Sequence, residues 1–221
     1  MKINDQRYQV NNFQILLKDF EPIVKGGDLK GRHWLINGNN LKKKPDIMSV
    51  DDGSTFNMRY REAWANWLLC VVLRKIYNQD ITFQEPKHKS EADGVIFNKN
   101  TNKKFFVEHV SAMDYPYIKK LPAGEDRILC AINKKIKKGS QYAKGKSLVV
   151  FVDGTGIWYP NKVGRIIPAN QPFEAIFCVA LIEGGETGYS YSVTEFSKFH
   201  SLMFRVNINS DFTDFEVVQL Q

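Results

Sequence analysis

Three carboxylates of this chain, Glu62, Asp93 and Glu108, lie in apolar surroundings, where a charged group needs a partner or a cation. Asp93 opens the stretch DGVIF and Glu108 is embedded in FFVEHV, where side chains alternate between faces and put Phe106, Glu108 and Val110 together. Glu62 falls early in RYREAWANWLLCVVLRKIY. At about 100° per residue it projects near Asn66, Leu69 and Leu73, on the core side of a helix. Two acids on neighbouring strands can converge. A convergent pair of carboxylates suits Mg²⁺, or Mn²⁺ in its place, because a hard cation takes oxygen ligands and keeps waters, one of which can become a nucleophile.

The elements that must carry these residues can be read from pattern. From Arg59 to Tyr77 there is no Gly or Pro, and the later half is apolar almost all round, as in a buried helix. Three β-rich stretches follow, ITFQEP, EADGVIFN and KKFFVEHVSA, separated by KHKS and the turn-like NKNTNK. After MDYPYIKKLPAG, the segment Glu125–Ala143 has acids in its first turn and lysines towards its end, which matches a helix dipole. The continuous apolar run SLVVFVD then predicts a strand buried on both faces. The core order is therefore α-β-β-β-α-β. Beyond it, FEAIFCVALIE, GYSYSVTEF, FRVNI and FEVVQL predict further strands, divided by the turn EGGETG. The first 55 residues hold short apolar pieces (Phe13–Leu17, Trp34–Ile36) between KGGDLKGR and NGNNLKKKPD. We expect one α/β domain: a loop-rich extension over 1–58 packed on the core, the core at 59–152, and a β-rich C-terminal extension of the same domain over 153–221.

Motif and element order together resemble the PD-(D/E)xK nuclease superfamily, with its restriction-endonuclease-like fold of a mixed central sheet flanked by helices. The resemblance covers residues 59–152. It implies Asp93 and Glu108 as metal ligands, Glu62 as an assisting helix acid, and a lysine that positions or activates water. Ala92 stands where the family has Pro, and Val110 where its E-x-K motif has Lys. Some relatives carry that lysine on the second helix instead. Projected at about 100° per residue, Lys135 falls inside the stripe of Ile128, Ala131 and Ile132, with Tyr142 beside it, so its ammonium is expected to turn towards the sheet. Catalytic candidates are thus Glu62, Asp93, Glu108 and Lys135. Lys134, Lys137, Lys138, Lys144 and Lys146 are expected to grip flanking phosphates of a nucleic acid, DNA rather than RNA. The implied activity is Mg²⁺-dependent endonucleolytic hydrolysis of phosphodiesters. The alternative is a catalytically inactive domain of the same fold that binds nucleic acid or a protein. A third reading is an interaction protein with no nucleic-acid role.

Composition narrows the classes. Of 221 residues, 43% are hydrophobic and 25% charged, which excludes a disordered or collagen-like chain. Net charge is +7, and residues 99–146 hold twelve Lys or Arg against four acids, a local +8 that leaves about −1 elsewhere. No apolar run spans a membrane and the start MKINDQRYQ lacks a signal-peptide core, so a soluble cytoplasmic protein is expected, with no membrane partner. Cys70, Cys130 and Cys178 read as buried thiols. Gly145-Lys146-Ser147 fails as a phosphate loop, because Ser140 occupies the required glycine and a strand follows where a helix should. The histidines His33, His88, His109 and His200 lack metal-ligand spacing. His109, opposite in face to Glu108, is expected to pack, as are Tyr60, Trp64 and Trp67. A plainer account also covers the acids: Glu108 and Lys135 as a buried ion pair, Asp93 as a turn residue and Glu62 as a first-turn acid. A two-fold dimer through the C-terminal strands would allow cleavage of both strands of a duplex.

Overall fold

In the computed structural model of the chain, residues 12–26, 60–84, 86, 91–114, 120–153 and 156–221 are described. Two helices come first. Helix α1 (Phe13–Lys25) is capped by Asn12, whose Oδ1 accepts from the amides of Gln14 and Ile15, both at 3.0 Å. Its apolar positions Phe13, Leu16, Leu17, Phe20, Ile23 and Val24 form one buried stripe. Helix α2 (Tyr60–Tyr77) is buried along most of its length.

The first three strands are β1 (Ile81–Gln84), β2 (Gly94–Asn98) and β3 (Lys103–Met113), paired antiparallel in sequence order. Asn98 Oδ1 shapes the β2–β3 turn by accepting from the amides of Asn100 and Thr101, both at 3.1 Å. Helices α3 (Gly124–Ile136) and α4 (Ser140–Ala143) then cross over to β4 (Lys146–Asp153), parallel to β3. Helix α5 (Pro160–Ile166) crosses to β5 (Ile176–Gly185), parallel to β4. Strands β6 (Gly188–Glu195), β7 (Leu202–Asn209) and β8 (Phe215–Gln219) continue antiparallel. The result is one mixed sheet of eight strands in the order β1 to β8.

That sheet curls. Helix α2 touches β1, β2 and β4 to β8, which requires both wings of the sheet to bend round it. Trp64 and Trp67 stack inside the curl with ring centroids 5.2 Å apart, and Trp67 meets Phe215 of β8 edge-on at 4.9 Å. Phe13 links α2 to the edge strand β1, 6.2 Å from Trp67 and 6.3 Å from Phe83. The other face of the central strands carries a second core, built from α3, α5 and the inward residues of β3, β4 and β5.

Three expectations change. A helix, α1, occupies part of the segment expected to be loop-rich, while Trp34–Ile36, KGGDLKGR from 27 on, NGNNLKKKPD and KHKS lie outside the described residues. The second core helix does not run unbroken to Ala143. It ends at Ile136, and Gly139 (φ 90°, ψ 169°) redirects the chain into α4, a backbone region that only glycine adopts readily. Cys70 and Cys178 are buried, but Cys130 is exposed, because it sits on the side of α3 away from Ile128 and Ile132. Among the described residues, no helix is long and apolar enough to cross a membrane.

Candidate active site

The antiparallel register Gly94↔Val107 puts Asp93 opposite Glu108. Asp93 is anchored twice: its amide donates to Val107 O at 3.0 Å, and its Oδ2 accepts from the His109 amide at 2.7 Å. Its side chain is one-third exposed, whereas that of Glu108 is 7% exposed. Alternation along β3 turns Glu108, Val110 and Ala112 to the α3 face and Val107 and His109 to the α2 face.

Three donors converge on Glu108. Lys135, from the last turn of α3, reaches Oε2 at 3.0 Å, and Lys146, from the start of β4, reaches Oε1 at 2.9 Å. Tyr142, on α4, donates its hydroxyl to Oε2. The Lys135 ammonium also donates to Tyr142 Oη at 2.8 Å and lies 3.8 Å from Asp93 Oδ2. The Tyr142 ring stands edge-on to Phe173 at 6.4 Å, with Lys138, Lys146 and Lys135 over it at 4.4, 4.9 and 5.4 Å.

The two acids respond oppositely to this setting. Burial opposes ionisation of Glu108, but the bonds from Tyr142, Lys146 and Lys135 outweigh it and hold the carboxyl below its ordinary value. Burial raises Asp93, and the neighbouring Glu108 charge raises it further, against the His109 amide and the Lys135 ammonium. Asp93 is therefore the under-compensated charge of the cluster. The same surroundings, burial first and then the hydrogen bond to Glu108 and its charge, push the Tyr142 phenol up, so it stays a donor.

Behind β3, His109 Nε2 pairs with Asn66 Oδ1 of α2 at 3.0 Å, so the ring serves packing and hydrogen bonding there. Gly94 is needed beside it, since a Cβ would stand 2.4 Å from Asn66 Nδ2. Glu62 is half-buried in the first turn of α2, one turn before Asn66, and so belongs to the opposite face of β3 from Glu108. The structure thus brings Asp93, Glu108 and Lys135 together, with Glu62 on the helix behind β3. Lys134, Lys137, Lys138 and Lys144 are exposed around the cluster, while Lys146 is inside it.

Lys146 as a member of the cluster is what the sequence reading missed. The signal was the alternation of β4, which sets Lys146 on the face of Leu148 and Val150. Two carboxylates are the donor set on offer, and among the described residues no group of three His, Cys, Asp or Glu could hold a metal. A pair fits Mg²⁺, which binds through one or two carboxylates and otherwise keeps water and substrate phosphate. Such an ion would relieve the charge that Asp93 and Glu108 impose on each other. Compared with protein-family models, curated proteins and solved structures, the chain matches none.

Proposed function

We propose that the chain is a metal-dependent nuclease of the PD-(D/E)xK type, hydrolysing phosphodiester bonds in DNA. One observation carries the reading: Asp93 and Glu108 face each other across β2 and β3 with the Lys135 ammonium 3.8 and 3.0 Å from them. The order α2-β1-β2-β3-α3-β4, with three antiparallel strands and then a parallel one, supports a restriction-endonuclease-like core. Asp93 and Glu108 would hold Mg²⁺, which would lower the pKa of a bound water and offset charge on the scissile phosphate. The remaining work falls to this chain's own groups. Lys135 and Lys146 supply ammoniums to the non-bridging oxygens, and Tyr142 fixes the aim of Lys135. Val110, at the E-x-K position, is buried in the core, so α3 and β4 supply the positive charge that the motif takes from β3. The exposed Lys134, Lys137, Lys138 and Lys144 would hold phosphates on either side.

A second reading has its own support. Glu108 is already bonded to three donors, as in a structural ion cluster, which favours a domain that binds DNA without cutting it. Incubation with supercoiled and single-stranded DNA in Mg²⁺ or Mn²⁺ separates the two. Cleavage by the wild type that falls at least 100-fold in Asp93→Ala, Glu108→Ala and Lys135→Ala is expected, on the order of what removing one electrostatic group costs an active site. A metal-induced rise in melting temperature should vanish in Asp93→Ala. Intact DNA and no metal-induced shift would leave the binding reading in its place.

A further inference from the structure

A second surface stands on the same side of the sheet as Lys135. Residues 156–167 and 196–201 are pinned together: the Ser201 amide donates to Asn161 Oδ1 at 3.0 Å, its hydroxyl donates to Pro160 O at 3.4 Å, and a Cβ on Gly164 would stand 2.2 Å from Ser197 O. Beneath them Trp158 and Phe196 meet edge-on at 6.1 Å and pack on the α3-face core. Above them, aromatic rings face solvent. Phe199 is 84% exposed and Tyr159 54%, with Ile157 beside Tyr159 at 80%. A lysine lies over each ring, Lys162 4.6 Å from Tyr159 and Lys198 5.6 Å from Phe199.

Charge identifies the occupant. Lys162, Arg165, Lys198 and His200 lie in these two segments, which contain no Asp or Glu. The bordering acids are Glu125, 3.7 Å from Lys162, and Glu174 and Glu195, in the groove that Lys198 also lines. Bare aromatic rings interleaved with cations are what an unpaired nucleic-acid strand uses, its bases stacking on the rings and its phosphates meeting the lysines. A duplex hides its base faces and cannot stack in this way.

We infer that Tyr159 and Phe199 form a stacking platform for a single DNA strand, with Lys162, Arg165 and Lys198 on its phosphates. The inference rests on the nuclease reading only for where the strand leads. Helix α3 starts beside Ile157 and carries Lys135 in its last turn, roughly 15 Å along the helix, so a strand of a few nucleotides joins platform to site.

The test is fluorescence anisotropy in EDTA, where cleavage cannot interfere, with a labelled single-stranded thymidine oligomer and a duplex. The variant Tyr159→Ala/Phe199→Ala alters exposed rings, and its melting temperature verifies folding. Single-strand affinity should fall about tenfold or more, with duplex affinity unchanged. Equal single-strand affinity in variant and wild type overturns the platform. So does self-association that the variant abolishes without loss of strand binding, which would assign the rings to a second copy of the chain. Cleavage in Mg²⁺ reports separately. Lost strand binding in the variant with an uncut wild-type substrate keeps the platform and removes the nuclease, while unchanged binding with active cleavage does the reverse.

Discussion

Glu108 has its acceptors filled by Lys135, Lys146 and Tyr142, whereas Asp93 meets one backbone amide and one distant ammonium. The less satisfied carboxylate is also the more exposed one. His109, directly behind, has a different role. Burial, with the Arg61 and Lys135 charges, pushes it down to about 3. An unfolded histidine titrates near 6.5, so between those values the unfolded chain binds the extra proton. The contribution is full above about pH 6.5 and is lost as pH falls towards 3, by up to about 1.4 kcal/mol per pH unit. Melting temperature should therefore drop from pH 7 to pH 5, and drop less in His109→Gln; equal slopes in the two proteins would refute this role. Asp93, Glu108 and Lys135 were legible because alternation and helical projection fix which way a side chain points. Lys146 was placed among the phosphate-gripping lysines and not beside Glu108, because the residue's strand partner cannot be known before the crossover is seen.

At the scale of elements, the turn between α3 and α4 deserves a test of its own. Gly139 takes φ 90° and ψ 169°, and the break it makes lets Tyr142 swing back over Glu108. A Cβ there meets no atom within 4 Å, so Gly139→Ala should act through backbone strain alone, costing about 2 kcal/mol. Urea denaturation measures it, and an unchanged midpoint would show that the turn relaxes freely. The sequence reading ran the helix through this point because Ile128, Ile132 and Lys135 keep the helical period up to it, and a glycine inside such a pattern is ambiguous. Helix α1 was missed for a related reason. Phe13, Leu16, Leu17 and Phe20 have helical spacing, but Pro22 and the surrounding Gly and Asn clusters argue for loop. The strands were clearer, since their β-branched and aromatic runs are bounded by turn residues.

Over the whole molecule, charge and curvature are distributed unevenly. Within the +8 excess of residues 99–146, Lys135 and Lys146 bond Glu108, and Lys134, Lys137, Lys138 and Lys144 are exposed. If these four neutralise phosphates, log K for DNA should fall with log salt at a slope of about −4, and Lys137→Ala/Lys138→Ala should flatten it by about 2. A slope near zero between about 50 and 200 mM salt would sever the link between this charge and DNA. The local excess was countable in the sequence. The curl of the sheet was not, because it depends on β7 and β8 reaching back to α2 across most of the chain. That reach has a kinetic side. The strands bearing Asp93 and Glu108 can pair through a short turn, but the walls round Trp64 and Trp67 close only when β8 arrives, and such distant pairing is slow to form. Tryptophan fluorescence should thus report the last event of folding, after the strands that carry the carboxylates have met.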